Sequence, residues 1–174
     1  MACDLIGGIS LSCRDGVGGI LEVKVKVHPG TATIDADFTD SSGTVTIAAG
    51  ASRSSWYTYN LEKETANFSW KQPVSQANGT QFWEQTLKMV FNKLSAQINN
   101  EMKVLGQNRL LFAIKDMNDV VWLMGMRYGS DMTETTGNSG TARGDRSGYE
   151  CTFMAKEKDP PFVLSEATYD TLVT

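Results

Sequence analysis

The stretch from Phe82 to Phe162 constrains the fold most, because it predicts an ordered series of strands and one helix. It contains no residue pattern typical of a catalytic site. It begins with a long apolar-rich run, FWEQTLKMVFN, followed by one helical pattern, SAQINNEMKVLGQ, and by RLLFAIKDMNDVVWLMGMRYG. A polar, glycine-rich segment and a last alternating run, YECTFMAKEKDPPF, complete it. These periodicities predict a mostly β chain with one helix. The long polar segment indicates a protein that contacts other copies of itself rather than one that catalyses a reaction.

Length and charge narrow the class of protein. A chain of 174 residues with 41% hydrophobic residues predicts a single domain with a real core. The net charge is -4, and the sequence gives no sign of the clustered Lys and Arg that bind a phosphate backbone. The N-terminus lacks the basic segment of a secretory signal, and no apolar run approaches the ~20 residues of a membrane span. We therefore expect a soluble protein that is made in the cytoplasm and has no membrane partner.

The first half of the chain is predicted to form short strands between turns. Residues 20–28 alternate, with Leu21, Val23, Val25 and Val27 on the apolar face, and stop at Pro29-Gly30. Residues 1–19, which are rich in glycine, are expected to form an N-terminal arm. Further strands are expected at 44–48, 55–62 and 65–71, with turns at Ser41-Ser42-Gly43 and Asn78-Gly79.

Residues 81–92 form the longest predicted strand. The run exceeds the usual ~5–6 residues of a strand. Both of its faces carry apolar groups, with Leu87, Met89 and Phe91 on one and Phe82 and Val90 on the other. We therefore expect this strand to be covered on both sides, at least in an assembled state.

One amphipathic helix is predicted around residues 95–106. Ser95 is a good N-cap, because its hydroxyl can accept from the free N–H groups of the first turn. Ile98, Met102 and Leu105 recur on one face. Gly106 is expected to end the helix as its C-terminal cap.

The remaining chain is predicted to close the fold. Asp116 to Asp119 are expected to form a hairpin turn, residues 129–148 a flexible loop, and residues from Tyr149 the last strand. Pro160-Pro161 is expected to end the sheet, because proline cannot donate to a ladder. Residues 163–174 are expected to be a C-terminal tail. The predicted class is thus mostly β, with two packed antiparallel sheets in a sandwich or barrel and one flanking helix.

No arrangement typical of an enzyme or a cofactor site is found. His28, the single histidine, lies on the polar face of a strand and lacks a Ser or Cys context for nucleophilic catalysis. Asp35, Asp37 and Asp40 are spaced as oxygen ligands, but they lack the glycine and the terminal Glu of a calcium loop. A solvated acidic loop is the favoured interpretation of that cluster. We expect neither catalytic activity, nor a metal, nor a cofactor.

Three cysteines are too few for a disulfide scaffold. Cys3, Cys13 and Cys151 also lack the tight spacing of a structural zinc site. Reduced and mostly buried thiols are the favoured interpretation. A Cys3–Cys13 bridge stays open as the alternative.

Charged and aromatic residues provide the candidate subunit interface. Arg143-Gly144-Asp145 matches a cell-adhesion tripeptide, but three-residue matches arise by chance and secretion is not indicated. Charges of alternating sign suit pairing between subunits. The predicted interface residues are Asp131, Arg143, Asp145, Arg146, Trp56 and Tyr57.

Three stretches resemble small virion proteins of tailed phages and prophages of Bacteroides-type hosts. They are MACDL with LSCRDGVGGI at the start, NGTQFWEQTLKMVFNKLSAQINNEMKVLGQNRLLFAIKDMND in the middle, and GDRSGYECTFMAKEKDPPFVL at the end. Separately, the order of long strand, helix, hairpin, loop and strand is similar to the phage tail tube fold. There, two packed sheets with a flanking helix stack as hexameric rings around the DNA channel.

The resemblance implies a structural subunit of the virion tail. Its implied partners are copies of itself in stacked rings, other tail or connector proteins, and double-stranded DNA that passes through the lumen without specific binding. Two alternatives stay open. One is a ring of the head–tail connector or tail terminator, and the other is a virion-decorating β-sandwich that binds host glycan through Trp56, Tyr57 and Tyr59.

Overall fold

The computed structural model of the chain describes residues 15–48 and 53–172, together with Ile9. Most of the expected N-terminal arm lies outside these residues, as does the question of a Cys3–Cys13 bridge. The described chain is mostly β, which confirms the predicted class. No described helix is long and apolar enough to cross a membrane.

Thirteen strands and three helices follow each other in the described chain. The strands of the first half are β1 Ile20–Val27, β2 Phe38–Ser41, β3 Thr44–Ile47, β4 Tyr57–Asn60, β5 Ala66–Lys71, β6 Val74–Ser75, β7 Thr80–Gln81 and β8 Trp83–Asn92. The strands of the second half are β9 Leu110–Asp116, β10 Val121–Met124, β11 Asp131–Asn138, β12 Gly148–Glu157 and β13 Phe162–Leu164. The helices are α1 Thr31–Asp37, α2 Ala96–Gln107 and α3 Glu166–Asp170.

The strands form two main sheets and a small ribbon. The larger sheet has seven strands in the order β2-β3-β13-β10-β9-β1-β4, and only its β13–β3 pair is parallel. The smaller sheet has four antiparallel strands in the order β11-β12-β8-β5. Strands β6 and β7 form the ribbon, and its turn at Gly79 was predicted correctly.

The first core lies between the two main sheets. Val23 and Val25 of β1 are buried in it with Leu87 and Met89 of β8. Phe112 of β9 meets Phe153 of β12 at a ring separation of 4.8 Å. The predicted packing of two sheets is thus confirmed.

A second core covers the opposite face of the seven-stranded sheet. Leu111 and Ala113 of β9 pack there with Ile34 of α1, with Tyr169 of α3 and with Trp56, which precedes β4. Because neighbouring residues of β9 point into different cores, β9 is buried on both faces. β8 is not covered on both faces within the single chain.

The outer face of β8 stays partly open. Lys88 is exposed there, and Thr86 and Val90 are half-buried. The strand is long because it pairs along its whole length with β12. Its cover on this face in an assembled state therefore stays a prediction.

Strand β1 departs from its predicted faces. Val23 and Val25 are buried as expected, but Leu21 and Val27 are 48% and 52% exposed. Lys24, expected on the solvent face, is 9% exposed. Its ammonium donates to the carbonyl oxygens of Tyr169 and Leu172 at 3.0 and 3.1 Å. The burial of this charge thus depends on the C-terminal segment.

Residues 129–148, expected to be a flexible loop, instead contain strand β11. The run of β-branched threonines favours a strand, and β11 pairs with β12 from Asp131 to Asn138. Both faces of β11 are mostly polar, and the strand lies at the edge of the sheet. Alternating hydrophobicity, the usual signal for a strand, was therefore missing. The short turn after β11 is held by Asp145, which accepts from the N–H groups of Thr141 and Ala142.

The C-terminal segment, expected to be a tail, is part of the fold. Strand β13 joins the seven-stranded sheet between β10 and β3, directly after Pro160-Pro161. The prolines therefore end β12, and the chain crosses to the other sheet instead of leaving the fold. Helix α3 buries Tyr169, and Ser165 caps it by accepting from the N–H of Thr168. Helices α1 and α3 are too short to give a periodic pattern.

Helix α2 confirms the predicted N-cap and corrects the predicted C-terminus. Ser95 accepts from the N–H of Ile98 at 3.1 Å, and Met102 and Leu105 are buried. Gly106 lies inside the helix, which continues to Gln107. The side-chain amide of Asn108 donates to the Val104 carbonyl oxygen at 2.8 Å. Asn108, rather than Gly106, thus pairs with a carbonyl group that the end of the helix leaves free.

Candidate intersubunit surface

The predicted interface residues do not form one patch. Asp131 begins β11, whereas Arg143, Asp145 and Arg146 lie in the turn beyond its other end. Eight residues of strand separate them by ~27 Å. Tyr57 belongs to β4, at the edge of the other sheet.

Trp56 is not available to an interface or to a sugar. It is 1% exposed and packs in the second core. Its sequence context, SSWYTY, is rich in turn and aromatic residues and gave no sign of burial. The prediction that Trp56 belongs to an exposed aromatic surface is therefore wrong. Its neighbour Tyr57 is 55% exposed.

Three of the charged interface residues have partners within the chain, namely Asp131, Asp145 and Arg146. Arg146 pairs with Glu150 at 3.1 Å, and the Asp131 carboxylate lies 3.9 Å from the Arg109 side chain. The pKa of Asp145 is lowered by the hydrogen bonds that its carboxylate accepts from two backbone N–H groups. These pairs are exposed and contribute little to stability.

The four-stranded sheet has two open edges, which were not predicted from the sequence. Within the described residues, β11 pairs only with β12, and β5 pairs only with β8. The Lys93 N–H donates to the Ser147 carbonyl oxygen, which fixes the alternation of hydrogen bonds across β12. By this alternation, the main-chain groups of Thr135 and Gly137 point to the open edge of β11. A Thr-rich polar strand was the available signal for this edge.

The outer face of the same sheet is polar and of mixed charge. β11 exposes Glu134 and Thr136 there, and β8 exposes Lys88. Lys71 of β5 pairs with Glu84 at 2.7 Å on this face. The basic groups are thus few and partly neutralised, so the face does not form a phosphate-binding patch.

The catalytic and metal candidates have structural roles. His28 is half-buried, with Nε2 3.1 Å from the Met126 carbonyl oxygen and Nδ1 accepting from Gly30. Asp35 pairs with Arg127 at 3.3 Å, and Asp40 accepts from the N–H of Gly43. Over residues 15–48 and 53–172, no group of three or more His, Cys, Asp or Glu side chains converges to hold a metal ion.

The burial of Glu157 was missed, whereas the predicted burial of a reduced thiol is confirmed at Cys151. Glu157 is 5% exposed and accepts from the N–H groups of Arg127 and Tyr128. Burial raises its pKa to about 7, against the effect of these two hydrogen bonds. Burial also raises the pKa of the Cys151 thiol to about 12, so this thiol is unreactive near neutral pH. Both positions follow from the alternation of β12 once its inner face is known.

An aromatic pocket of about 250 Å³ opens between the sheets at one end. Phe68, Trp70 and Trp122 line it, with the Trp70 and Trp122 rings 4.9 Å apart. Asp116 accepts from the Trp122 indole N–H at 3.3 Å and orients that ring. Trp70, which is 41% exposed, is the most accessible of these three rings.

Comparisons with known proteins identify no relative. No protein-family model matches the chain, and neither a curated protein nor a solved structure does.

Proposed function

We propose that this protein is a structural subunit of a phage virion that assembles into rings, which stack into the tail tube. The supporting observation is the four-stranded sheet with an open edge on each side. Open edges invite pairing with other chains, and a ring of copies removes them. Stacking of such rings is a heterologous contact that grows a tube.

The direction of the strands suits closure into a ring. Because all three strand pairs of this sheet are antiparallel, β11 and β5 run in opposite directions. In a ring with rotational symmetry, β11 of one copy meets β5 of the next, and this new pair is also antiparallel. The sheet would then continue around the ring without reversing its alternation.

The polar outer face suits a channel for DNA. If the sheets line the lumen, Lys88 faces it while Lys71 stays paired with Glu84. A surface of mixed charge would let the phosphate backbone pass with little binding, because affinity depends on the number of phosphates neutralised.

The test blocks one edge without breaking the sheet. Thr135→Pro removes an N–H that points to the open edge of β11, whereas Thr135→Val keeps it. We expect wild type and Thr135→Val to form rings or hollow tubes in electron micrographs, and Thr135→Pro to stay monomeric in light scattering. Thermal unfolding checks that the proline variant is folded. A wild-type chain that is monomeric at high concentration and absent from virions contradicts the proposal.

The position of the ring in the particle is decided by copy number. A tail tube requires many stacked rings, whereas a head–tail connector or terminator ring occurs once. Quantitative mass spectrometry of purified virions gives this number. A single ring's worth of copies would favour the connector or terminator.

A second candidate function, glycan binding, is favoured by the aromatic pocket. Trp70 is 41% exposed beside Trp122, with the two rings tilted by 40°, and an exposed indole face can pack against a sugar ring. Glycan-array binding by wild type, lost in Trp70→Ala but kept in Tyr57→Ala, would support this function. Array binding that is unchanged in Trp70→Ala would exclude this pocket.

A further inference from the structure

A groove runs between the edge strand β4 and helix α2. Two adjoining depressions of about 330 and 420 Å³ share Tyr57, Tyr59 and Glu101 in their walls. Val104 of α2 and Tyr57 of β4 are 42% and 55% exposed across it. The Tyr59 hydroxyl donates to the Glu101 carboxylate at its floor. The groove is therefore lined in larger part by apolar groups, with Lys26, Gln97 and Asn108 among its polar lining residues, and the Tyr59 and Glu101 side chains pair with each other.

One wall of the groove is an open sheet edge. The His28 N–H donates to the Arg109 carbonyl oxygen, which sets the alternation of hydrogen bonds across β1. By this alternation Tyr57 and Tyr59 bond to β1, and the main-chain groups of Thr58 point outward. In the described part of the chain, β4 pairs with β1 alone. An extended segment could add here as a further strand, with alternate side chains in the groove.

The N-terminal segment has the sequence of such a strand. Ile9, Leu11 and Cys13 alternate with Ser10 and Ser12, the pattern of a half-buried strand, and residues 5–13 carry no charge. Ile9 is fully exposed, at 102%, so it is not buried against its own chain. An uncharged segment loses little on desolvation in an apolar groove.

We propose that residues 9–13 of one copy add as a strand to β4 of a second copy, with Ile9 and Leu11 in the groove beneath α2. This inference rests on the proposed function, because it takes another subunit as the occupant. The contact is separate from the β11–β5 edges, because β4 belongs to the seven-stranded sheet.

Cross-linking between two differently substituted chains tests the inference. Ser10 and Thr58 would lie on the same face of the extended sheet, where neighbouring side chains are ~5 Å apart. Both chains carry Cys3→Ala and Cys13→Ala, and Cys151 stays silent because it is 0% exposed. We expect a mixture of Ser10→Cys and Thr58→Cys chains to give a covalent dimer with a short bis-maleimide.

The controls separate this contact from chance collisions. Adding Ile9→Asp to the Ser10→Cys chain should lower the dimer yield at least ~10-fold, because a carboxylate is costly to bury in an apolar groove. Asn100→Cys, exposed elsewhere on α2, should give no dimer above background with Ser10→Cys. Equal yields with Thr58→Cys and Asn100→Cys would overturn the proposal.

Further outcomes distinguish this inference from the proposed function. A chain that carries both Ser10→Cys and Thr58→Cys and cross-links only within itself shows that the segment folds back, which overturns the proposal. Rings that form in electron micrographs without any such cross-link also overturn it, but leave the function intact. The absence of rings in the wild type counts against the function, whatever the cross-linking result.

Discussion

At the scale of single residues, β12 and β8 approach each other so closely at position 148 that this position requires glycine. A Cβ there would lie 2.1 Å from the Phe91 carbonyl oxygen, so Gly148→Ala must push β12 away from β8. We expect a loss of ~2 kcal/mol in the free energy of unfolding, measured by urea denaturation. Gly144→Ala is the control, because a Cβ there meets nothing within 4 Å. Similar losses in both variants would contradict this reading of the strand contact.

Glu157 makes stability depend on pH. Burial raises its pKa from 4.5 to about 7 in the folded chain, so folding favours the protonated form. Its contribution is therefore full below pH 4.5 and is lost as the pH rises through about 7. This difference corresponds to ~3 kcal/mol.

Glu157→Gln removes this titration while its side-chain oxygen can still accept from Arg127 and Tyr128. We expect the variant to gain stability relative to wild type as the pH rises from ~5 to ~8, in urea unfolding at each pH. Glu134→Gln, at an exposed position on β11, is the control and should show no such trend. A difference between Glu157→Gln and wild type that is constant with pH would be the contrary result.

At the scale of elements, α3 is fastened to the seven-stranded sheet by polar contacts. Lys24 donates to the carbonyl oxygens of Tyr169 in α3 and of Leu172 just after it, and lies 4.2 Å from the centre of the Tyr169 ring. The Tyr169 hydroxyl donates to Glu22 at 2.7 Å, and Glu166 pairs with Lys115 at 2.6 Å. A terminal segment with such contacts stays ordered.

Lys24→Met should release this segment, because the Tyr169 and Leu172 carbonyl oxygens lose their donor. We expect a loss of ~2 kcal/mol in the free energy of unfolding and faster hydrogen exchange over residues 166–172. Lys88→Met, at an exposed position on β8, should change neither. Unchanged exchange in Lys24→Met would show that apolar packing alone holds α3.

At the scale of the whole molecule, the ring would use two different edges of the four-stranded sheet. A variant that blocks one edge should therefore disturb rings of wild-type copies when the two are mixed. Thr135→Pro keeps the β5 edge, so it can pair with the β11 edge of a wild-type copy. The next copy cannot join it, and ring closure stops there. We expect a small fraction of Thr135→Pro to reduce closed rings more than in proportion, counted in electron micrographs. Thr135→Val should have no effect, and a reduction merely in proportion would indicate that the edges do not mediate closure.

Part of this architecture could be read from the sequence. The strands β1, β5 and β12, the N-cap at Ser95 and the turns at Gly43 and Gly79 were predicted because local sequence preferences decide them. The faces of β8 and β9 were not, because burial depends on which layers cover a strand. The edge strand β11 was missed for the same reason, since neither of its faces is apolar.

The candidate surface divides in the same way. Exposure of Tyr57 and of the Arg143–Arg146 turn agrees with the polar or turn-forming sequence around them. Burial of Trp56 was decided by distant elements, α1 and α3, which are too short to give a pattern. The aromatic pair Trp70–Trp122 comes from strands far apart in sequence.

By itself, the sequence determined a mostly β domain with one amphipathic helix, because periodicity and turn chemistry are local. Only the tertiary structure decided which strands became edges, where Lys24 and Glu157 were buried, and that the C-terminal segment belongs to the core. The physical reason is that edges, grooves and desolvation are properties of packed neighbours, and these neighbours lie far apart along the chain.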